Sequence, residues 1–337
     1  MRNSFKVISS DIIKTIIQEN QERLYNIIRE TYLAHDAGLT INPPSYFLRF
    51  PKNPTARIIA LPAAIIEKND SDSISGLKWI SSYPENINKH KIPRASAVII
   101  LNDFETGYPI ACLEGSLISG LRTAYSAVLA AEYIHKQSKK GSNIAFIGNG
   151  FIASTILETF QQQDWVFENI YLHDQDHTTS ESFAESIKKT TNNLNPKITP
   201  QLKNAIQNAN IIVFSTTSTT PYLNDPTLFK HNPTVLHISL RDLGPRILIE
   251  SNNLVDDREH VLSANTSPDL THKEYNTDGF INGTIAELIS NKIELKTNKP
   301  TIFSPMGMGV LDIAVANFIY QHTGNHAITM IDNFFPI

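Results

Sequence analysis

Two glycines near the middle of the chain, Gly148 and Gly150, have the spacing of a turn that binds a dinucleotide. They belong to the sequence GNGFIA at residues 148–153, which follows an apolar run at residues 143–147. In such a turn the first glycine allows a sharp bend, and the second lets backbone N–H groups approach a pyrophosphate. A small third residue, here Ala153, lets the following helix pack on the strand. An ordinary turn between a strand and a helix can carry the same glycines, so a second feature must distinguish the two.

An acidic residue after the next predicted strand is that second feature. Asp174 lies 24 residues after Gly150 and follows the apolar run at residues 170–172. A carboxylate in this place accepts a hydrogen bond from the ribose 2′-hydroxyl of NAD, whereas a nearby arginine accommodates the extra phosphate of NADP. Because Gln175 follows Asp174, the sequence predicts NAD as the cofactor. The turn contributes three further predicted cofactor contacts: Asn149, Phe151 and Ile152.

Polar residues also follow two later apolar runs, at residues 211–214 and 235–239. The strands of an open α/β sheet bind ligands at their carboxyl ends, so side chains that directly follow these runs are candidates for cofactor contact. The first run is followed by three hydroxyl residues: Ser215, Thr216 and Thr217. Asp242 comes three residues after the second run, where a carboxylate can act as a general acid or base. A plain polar loop and a helix cap are the alternative interpretations.

Five cations lie in apolar, β-like or helical surroundings of a chain that has few charges: Arg49, Arg57, Lys78, Arg94 and Arg122. An unpaired cation is costly to bury. These residues either form structural ion pairs and surface contacts through their aliphatic stems, or they bind the carboxylates of a substrate through planar guanidinium groups. Composition leaves the two interpretations open.

The overall charge excludes several classes of partner. The 337 residues contain 29 Lys and Arg against 33 Asp and Glu, which gives a formal net charge of −4. A protein that binds nucleic acid or a membrane surface usually has a basic face or a run of about five or six like charges, and this chain has no such run. We therefore expect a small molecule as partner, and neither a nucleic acid nor a membrane.

Cysteine content and hydropathy indicate the compartment. Cys112 is the single cysteine, so no disulfide can form within the chain, and no Cys/His cluster has the spacing of a zinc site. The sequence predicts no metal. The N-terminal residues lack the apolar block of a signal peptide, and no run of about 18 apolar residues occurs. We expect a cytoplasmic protein.

The order of apolar runs predicts the fold class α/β. Over residues 126–303, short apolar runs alternate with helical patterns, which is typical of parallel βαβ units. This part is predicted to be a Rossmann-type domain that binds NAD. Residues 1–125 begin with a strand and two helices and continue with short β-like runs separated by prolines. We expect them to form, together with residues 304–337, one discontinuous α+β domain for the substrate.

Several motifs occur in order along almost the whole chain. They are SGLKWI at residues 75–80, DFETGYP at 103–109, LRTA at 121–124, GNGFIA at 148–153 and SPMGM at 304–308, followed by Asp312. Together they resemble the ornithine cyclodeaminase/mu-crystallin family. One departure is Leu311, at a position where the family usually has an acidic residue.

The resemblance implies an NAD-binding protein that forms a homodimer through its discontinuous domain. Arg49, Lys78 and Arg122 match the family's carboxylate-binding and catalytic cations, and Ser96 matches a hydroxyl that contacts the substrate. Asp242 matches the acidic residue of the loop at the nicotinamide, so the resemblance implies Lys78 and Asp242 as the catalytic residues. It also implies further cofactor contacts: Arg122, Thr123, Ser239, Met306 and Gly307.

Within the family, the motifs are most similar to a branch of dehydrogenases. That branch oxidises the CH–NH bond of a secondary amine joining two amino-acid units, in the synthesis of L-2,3-diaminopropionate for siderophores. The resemblance thus implies a small dicarboxylic or amino-acid substrate. Three alternatives remain open: a cyclodeaminase, to which the loop at residues 241–246 is slightly similar, a ketimine or opine-type reductase, and a binding protein without catalysis.

Overall fold

The computed structural model describes residues 4–67, 72–190, 194–324, 326 and 328–336. The chain divides into two compact units, one made of Met1–Arg122 with Gly307–Ile337 and the other of Thr123–Met306. One unit is therefore interrupted in the sequence by the other. The boundaries lie three residues from the sequence-based ones, which were residues 125/126 and 303/304.

Strands and helices of the described residues have the following bounds. The strands are β1 (Ser4–Ile8), β2 (Thr40–Ile41), β3 (Tyr46–Phe50), β4 (Asn53–Ile65), β5 (Ile74–Ser82), β6 (Ala95–Asp103), β7 (Pro109–Glu114), β8 (Lys140–Ile147), β9 (Val166–His173), β10 (Pro196–Ile198), β11 (Ile211–Phe214), β12 (Thr234–His237), β13 (Asn252–Val255), β14 (Ile281–Thr284), β15 (Thr301–Phe303) and β16 (Thr329–Asp332). The helices are α1 (Ser10–Glu19), α2 (Gln21–Asp36), α3 (Asn86–His90), α4 (Ser116–Ile134), α5 (Phe151–Gln162), α6 (His177–Thr190), α7 (Leu202–Gln207), α8 (Pro245–Glu250), α9 (Arg258–Val261), α10 (Ser267–Tyr275), α11 (Ile285–Ile289) and α12 (Gly309–Gln321).

A mixed sheet forms the centre of the first unit. Its strand order is β16-β1-β7-β6-β5-β4-β2, and β3 pairs with the remaining part of β4. The pair β1 and β7 is parallel, and the other pairs are antiparallel. In β6 the side chains of Ala97, Ile99 and Leu101 are buried, whereas those of the alternate residues Ser96 and Val98 are exposed. This alternation is typical of an antiparallel sheet that is covered on one face.

Helix α12 covers that face by packing on β4, β5 and β6. A Cβ on Gly76 would lie 2.7 Å from Cδ1 of Ile313. The helix can therefore approach the sheet this closely only because residue 76 is a glycine. At the start of the helix, a Cβ on Gly309 would lie 3.0 Å from the carbonyl oxygen of Leu61. Because Gly76 pairs with Ala63, α12 begins over Leu61 and runs along β4 towards Ala63.

The second unit is built on a parallel sheet with the strand order β10-β9-β8-β11-β12-β15-β13-β14. Its first five strands in the chain, β8 to β12, are arranged in the order 3-2-1-4-5, which is that of a Rossmann domain. Strands β11 and β12 are buried along their whole length, as a sheet covered on both faces requires. The predicted α/β class is confirmed. The order of strands reverses between β8 and β11, and such sheets bind ligands at this point.

Candidate active site

The predicted glycine turn connects β8 to α5 at the reversal point of the second unit's sheet. Gly148 has a φ of +87°, and a Cβ there would lie 2.7 Å from the carbonyl oxygen of Ser215, so the position requires glycine. Gly150 precedes α5 as its N-cap, and a Cβ there would meet no atom within 4 Å. In the described part of the chain, no side chain caps α5. The N–H groups of its first turn therefore offer a site for an anion such as a pyrophosphate.

Asp174 lies next to this turn, at the end of β9. One of its carboxylate oxygens accepts a hydrogen bond from the backbone N–H of Asn149 at 2.8 Å, and the other from that of Asp176 at 3.0 Å. The Asn149 amide donates to the Ser180 hydroxyl at 2.8 Å, and its buried Oδ1 has no hydrogen-bond partner among the described residues. Three features of this turn fit a bound nucleotide. They are the lack of space for a Cβ at Gly148, the uncapped start of α5 and the buried Oδ1 of Asn149, which has no partner among the described residues.

Two hydroxyl residues predicted at this edge have partners within the second unit. Ser215 donates to the carbonyl oxygen of Gly148 at 2.8 Å, and Thr216 donates to Oδ1 of Asp242 at 2.6 Å. Thr217 is exposed. The backbone N–H of Met306 donates to Asp256 at 2.9 Å. Three other predicted cofactor contacts differ in exposure, since Phe151 is exposed whereas Ile152 and Thr123 are half-buried.

Asp242 is completely buried, and both of its carboxylate oxygens are hydrogen-bonded. Oδ1 accepts from the hydroxyls of Thr216 and, at 2.9 Å, Tyr222, while Oδ2 accepts from the Ser239 hydroxyl. Oδ2 also lies 3.2 Å from Nε2 of His237. Burial raises the pKa of the carboxyl, but the neighbouring His237 and the hydrogen bonds from Ser239 and Thr216 outweigh it and hold the pKa below its ordinary value. The carboxylate is therefore ionised and well satisfied at neutral pH.

His237 and Tyr222 are the partners of Asp242 that the sequence analysis missed. His237 is fully buried in β12, where its Nδ1 lies 3.1 Å from the Ser304 hydroxyl and its Nε2 accepts from the backbone N–H of Asp242 at 3.1 Å. Burial and the Asp242 charge raise the pKa of Tyr222, so its hydroxyl stays protonated and donates. A single histidine within the apolar run at residues 235–239 was the available signal.

In the first unit, three charged side chains meet in the buried space between the sheet and two helices. Nζ of Lys78, on β5, donates to Oδ2 of Asp312 at 2.6 Å. Nε of Arg122, on α4, donates to Oδ1 of the same carboxylate at 3.2 Å. The Lys78 side chain is 2% exposed and that of Asp312 is 0% exposed, whereas Arg122 retains 12%. The carboxylate thus holds two predicted substrate-binding cations in one place.

Lys78 has the electrostatics of an acid–base group. Burial lowers its pKa to about 8, with a contribution in the same direction from the Arg122 charge and an opposing one from Asp312. Its ammonium group also donates to the hydroxyl of Ser119 at 3.2 Å. A lysine with this pKa is partly neutral near physiological pH, so it can accept and return a proton.

Gly307 fits closely against the guanidinium of Arg122. Its φ is +92°, and a Cβ there would lie 2.9 Å from Nη1 of Arg122. Asp312, five residues later, is the only charged residue of α12 and lies one turn into this otherwise apolar helix. The last sequence motif therefore brings a glycine and a carboxylate to Arg122. Asp312 belongs to the predicted motif, but its contact with the two cations was not predicted.

Two predicted substrate contacts lie elsewhere on the sheet. Ser96 is not brought to Lys78: its hydroxyl is 2.8 Å from that of Ser81, on the opposite face, because successive side chains of a strand alternate between faces. Ser96 therefore stays a predicted substrate contact, on the face of the sheet opposite Lys78. Arg49, on β3, is exposed on the same face as Lys78, and its guanidinium carbon lies 5.0 Å from the centre of the Phe47 ring.

The described residues contain neither a cluster of metal ligands nor a helix that could span a membrane. In residues 4–67, 72–190 and 194–336, apart from 325 and 327, no group of three or more His, Cys, Asp and Glu side chains is placed to hold a metal ion. No helix in the described part of the chain is long and apolar enough to cross a membrane.

Comparison with known proteins shows the family of the chain. The sequence profile of the ornithine cyclodeaminase/mu-crystallin family matches residues 10–326, and the chain belongs to that family. It is 31% identical over 320 residues to the N-((2S)-2-amino-2-carboxyethyl)-L-glutamate dehydrogenase of Staphylococcus aureus, with 90% of each chain covered.

Two solved structures have the same fold. The Thermococcus litoralis Delta(1)-pyrroline-2-carboxylate reductase in complex with NADH and L-proline matches with a TM-score of 0.84 at 22% identity, covering 95% of this chain and 97% of that one. An archaeal alanine dehydrogenase dimer with bound NAD matches with a TM-score of 0.84 at 22% identity, covering 98% of this chain and 100% of that one.

Proposed function

We propose that this chain is an NAD-dependent dehydrogenase that acts on the CH–NH bond of N-(2-amino-2-carboxyethyl)-L-glutamate. The reaction consumes NAD and water and yields 2-oxoglutarate, L-2,3-diaminopropionate, NADH and a proton. The product would supply a siderophore or a related natural product. The observation that carries this proposal is the buried Lys78, with its lowered pKa, held by Asp312 beside Arg122. The identity of 31% to the Staphylococcus aureus dehydrogenase supports the choice of substrate.

The second unit supplies the cofactor site in this proposal. The turn at Gly148 and Gly150 would hold the pyrophosphate, and Asp174 would accept the ribose hydroxyl. The two solved structures contain NADH and NAD, which supports NAD as the cofactor here as well. When bound, NAD supplies the hydride acceptor for the substrate carbon.

Lys78 carries the proton transfers. A neutral lysine can remove the proton of the substrate's secondary ammonium group, and this leaves the nitrogen lone pair needed to expel a hydride from the neighbouring carbon. The same side chain can then assist the addition of water to the resulting C=N bond. Arg122 binds a substrate carboxylate, and Asp312 positions both cations. Asp242 remains a predicted catalytic residue; its lowered pKa favours an ionised group, which can anchor the site but has no proton to donate.

The decisive experiment is to add the synthetic conjugate and NAD to the purified protein and to follow NADH absorbance together with the two products. We expect equal amounts of NADH, 2-oxoglutarate and L-2,3-diaminopropionate. If NAD binds but no NADH forms, the substrate assignment is wrong. Ornithine is the parallel sample, because a cyclodeaminase would release ammonia and proline from it without net NADH. Pyruvate or 2-oxoglutarate with an amino acid and NADH tests the reductase alternative.

We also propose that the protein is a homodimer. The sheet of the first unit exposes apolar side chains on the face opposite α12, and three of them lie in one row across the strands: Tyr46, Trp79 and Val98. Tyr46 is 67% exposed and Trp79 is 40% exposed. Large exposed side chains grouped on one sheet are typical of an interaction surface. A second copy of this chain is the proposed partner, which the dimer of the archaeal alanine dehydrogenase supports.

A further inference from the structure

A cavity lies at the end of the second unit's sheet that is opposite the glycine turn. Its volume is about 300 Å³, which is within the range of sites that bind small molecules. Its lining includes Asn210, Thr234 and Thr301, which stand at the amino ends of the parallel strands β11, β12 and β15. Ser215 follows the carboxyl end of β11. The five residues from Asn210 to Ser215 span about 17 Å of strand, so the cavity is separate from the proposed cofactor site.

Three lysines from two distant parts of the chain line this cavity. Lys136 follows α4, and Lys296 and Lys299 belong to the loop before β15. Within the part of the chain that the structure describes, none of the three has a carboxylate within 4.0 Å, and no Asp or Glu lines the cavity. Cations gathered without a counter-ion repel one another and attract anions. We call the three residues the lysine cluster.

The end of helix α4 does not cancel the charge of the lysine cluster. The helix ends at Ile134, which is itself a lining residue. The carboxyl end of a helix carries about half a negative charge. Lys136, two residues beyond this end, is placed to compensate that charge. Lys296 and Lys299 therefore leave two positive charges at the cavity that the helix does not explain.

A buried side chain fixes the loop that carries these two lysines. Asn252 is 1% exposed. Its Nδ2 donates to the carbonyl oxygen of Lys296 at 2.8 Å, and its Oδ1 accepts from the backbone N–H of the same residue at 3.3 Å. The backbone at Lys296 is thus held in place before any ligand binds. Binding then has to order only the lysine side chains, which reduces its entropic cost.

The neutral residues of the lining present donors to the cavity. The Oδ1 atom of Asn210 accepts from the backbone N–H of Asn143 at 2.9 Å, and its Nδ2 has no hydrogen-bond partner among the described residues. The hydroxyl oxygen of Thr301 accepts from Nδ2 of Asn252 at 3.1 Å. Burial lowers the pKa of His135 to about 4, so this lining residue is neutral and adds no charge. Ammonium and amide donors are the partners of an anion that has several oxygen atoms.

Charge and size favour a phosphate monoester over a carboxylate. A phosphate monoester carries about 1.5–2 negative charges at pH 7 and has three acceptor oxygens, which match two lysines and the Asn210 amide. A carboxylate has one charge, and its planar shape is best matched by guanidinium groups, whereas no arginine of the described residues lines the cavity. The volume equals that of about ten water molecules. It therefore has room for a phosphate and a short organic group.

We propose that this cavity binds a small phosphate monoester and that it does so while NAD occupies the opposite end of the sheet. Lys296 and Lys299 bind phosphate oxygens, Asn210 donates to a third, and Lys136 adds its charge. The organic group lies against the apolar part of the lining, which includes Leu295. The site goes beyond the proposed function, in which no residue of this cavity takes part.

The test titrates the protein with glycerol 3-phosphate, inorganic phosphate and glycerol by calorimetry in the presence of saturating NAD. The bound NAD occupies the glycine turn and so removes that turn as a site for phosphate. We expect one molecule of glycerol 3-phosphate per chain, weaker binding of inorganic phosphate, which lacks the organic group, and no binding of glycerol. Lys296→Met and Lys299→Met should each weaken the binding of glycerol 3-phosphate at least about tenfold, since hydrogen bonds to a charged group contribute on this scale.

The matched control is Lys188→Met, which removes an exposed lysine of α6 that pairs with Glu185. It should bind glycerol 3-phosphate as the wild-type protein does. All three variants should bind NAD with wild-type affinity, which shows that the second unit is folded. A wild-type protein that binds no glycerol 3-phosphate would overturn the proposal, and so would full affinity in both Lys296→Met and Lys299→Met. Inorganic phosphate or glycerol that binds as tightly as glycerol 3-phosphate would overturn it as well.

Discussion

Lys78 is surrounded by a carboxylate, a guanidinium and a hydroxyl that the sequence does not place near it. Ser119 and Asp312 are 41 and 234 residues away along the chain. An apolar strand that contains one lysine predicts a cation with a special role, because an unpaired charge is costly to bury. It does not predict the partner, since the partner depends on how α12 packs on the sheet. Asp312 could have been recognised in the sequence as a candidate partner, because it is the only charged residue of the apolar helix α12.

The position of Ser96 shows that the strand register determines which predicted side chains share a face of the sheet. A one-residue change in register moves a side chain to the other face of a sheet. Ser81 and Ser82 are adjacent serines, and the hydroxyl of Ser82 accepts from Arg94 whereas that of Ser81 lies against Ser96. Which of the two serines shares a face with Ser96 depends on the register of β5 with β6.

The lowered pKa of Lys78 predicts how the rate depends on pH. With a pKa of about 8 the side chain is mostly protonated below that pH and mostly neutral above it. If neutral Lys78 is the base, kcat/KM for oxidation should rise about tenfold per pH unit below pH 8 and level off above it. Lys78→Met should lose at least about 100-fold in kcat. The measurement is a set of initial rates of NADH formation between pH 6 and pH 10.

A matched control is Lys139→Met, because Lys139 is a partly exposed lysine that pairs with Glu132. It should show the wild-type profile. A wild-type kcat/KM that does not change across pH 8 would argue against Lys78 as the base. A Lys78→Met variant whose kcat/KM still rises with pH below pH 8 would argue against it as well.

Strand β4 differs from the expectation of short runs broken by prolines. It extends over thirteen residues and includes Pro54 and Pro62. Proline cannot donate to a sheet ladder and is confined to places where the N–H has no partner strand. Pro62 meets this condition, because β3 pairs with β4 only up to Ala60 and β2 begins to pair at Ala64. The composition predicted a strand in this region, but its length depended on where the neighbouring strands end.

The glycine turn between β8 and α5 allows a prediction about a single backbone position. Gly148→Ala should weaken NAD binding strongly, since alanine at a φ of +87° is strained and its Cβ would lie 2.7 Å from the Ser215 carbonyl oxygen. Gly141→Ala is the control, because Gly141 has a φ of +85° but nothing within 4 Å of its Cβ position. We expect a loss of about 1–2 kcal/mol in the free energy of unfolding for the control and a larger loss for Gly148→Ala. Titration of NAD by protein fluorescence measures the binding.

The control separates backbone strain from steric contact. If Gly148→Ala binds NAD as tightly as Gly141→Ala does, the close approach at Ser215 has no bearing on the cofactor. If both variants lose binding equally, backbone strain alone accounts for the effect.

At the scale of the whole molecule, the division of the chain could be predicted because composition changes along it. Proline-separated β-like runs give way to regular alternation of strands and helices, and the Rossmann order of β8 to β12 follows from that alternation. The mixed sheet of the first unit was less predictable. It combines a parallel pair, β1 and β7, with a strand from the far end of the chain, β16, and local periodicity carries no information about such distant pairing.

The exposed face of the first unit's sheet predicts the assembly. In a symmetric dimer each copy presents the same patch, so one introduced carboxylate places two like charges in the interface. Trp79→Glu should therefore convert the dimer to a monomer at micromolar concentration, as measured by sedimentation velocity. Val166→Glu is the control, because Val166 is a 53% exposed apolar residue on a strand of the second unit, and it should remain dimeric. A monomeric wild-type protein would contradict the proposal. A dimeric Trp79→Glu variant would show that the copies associate through another surface.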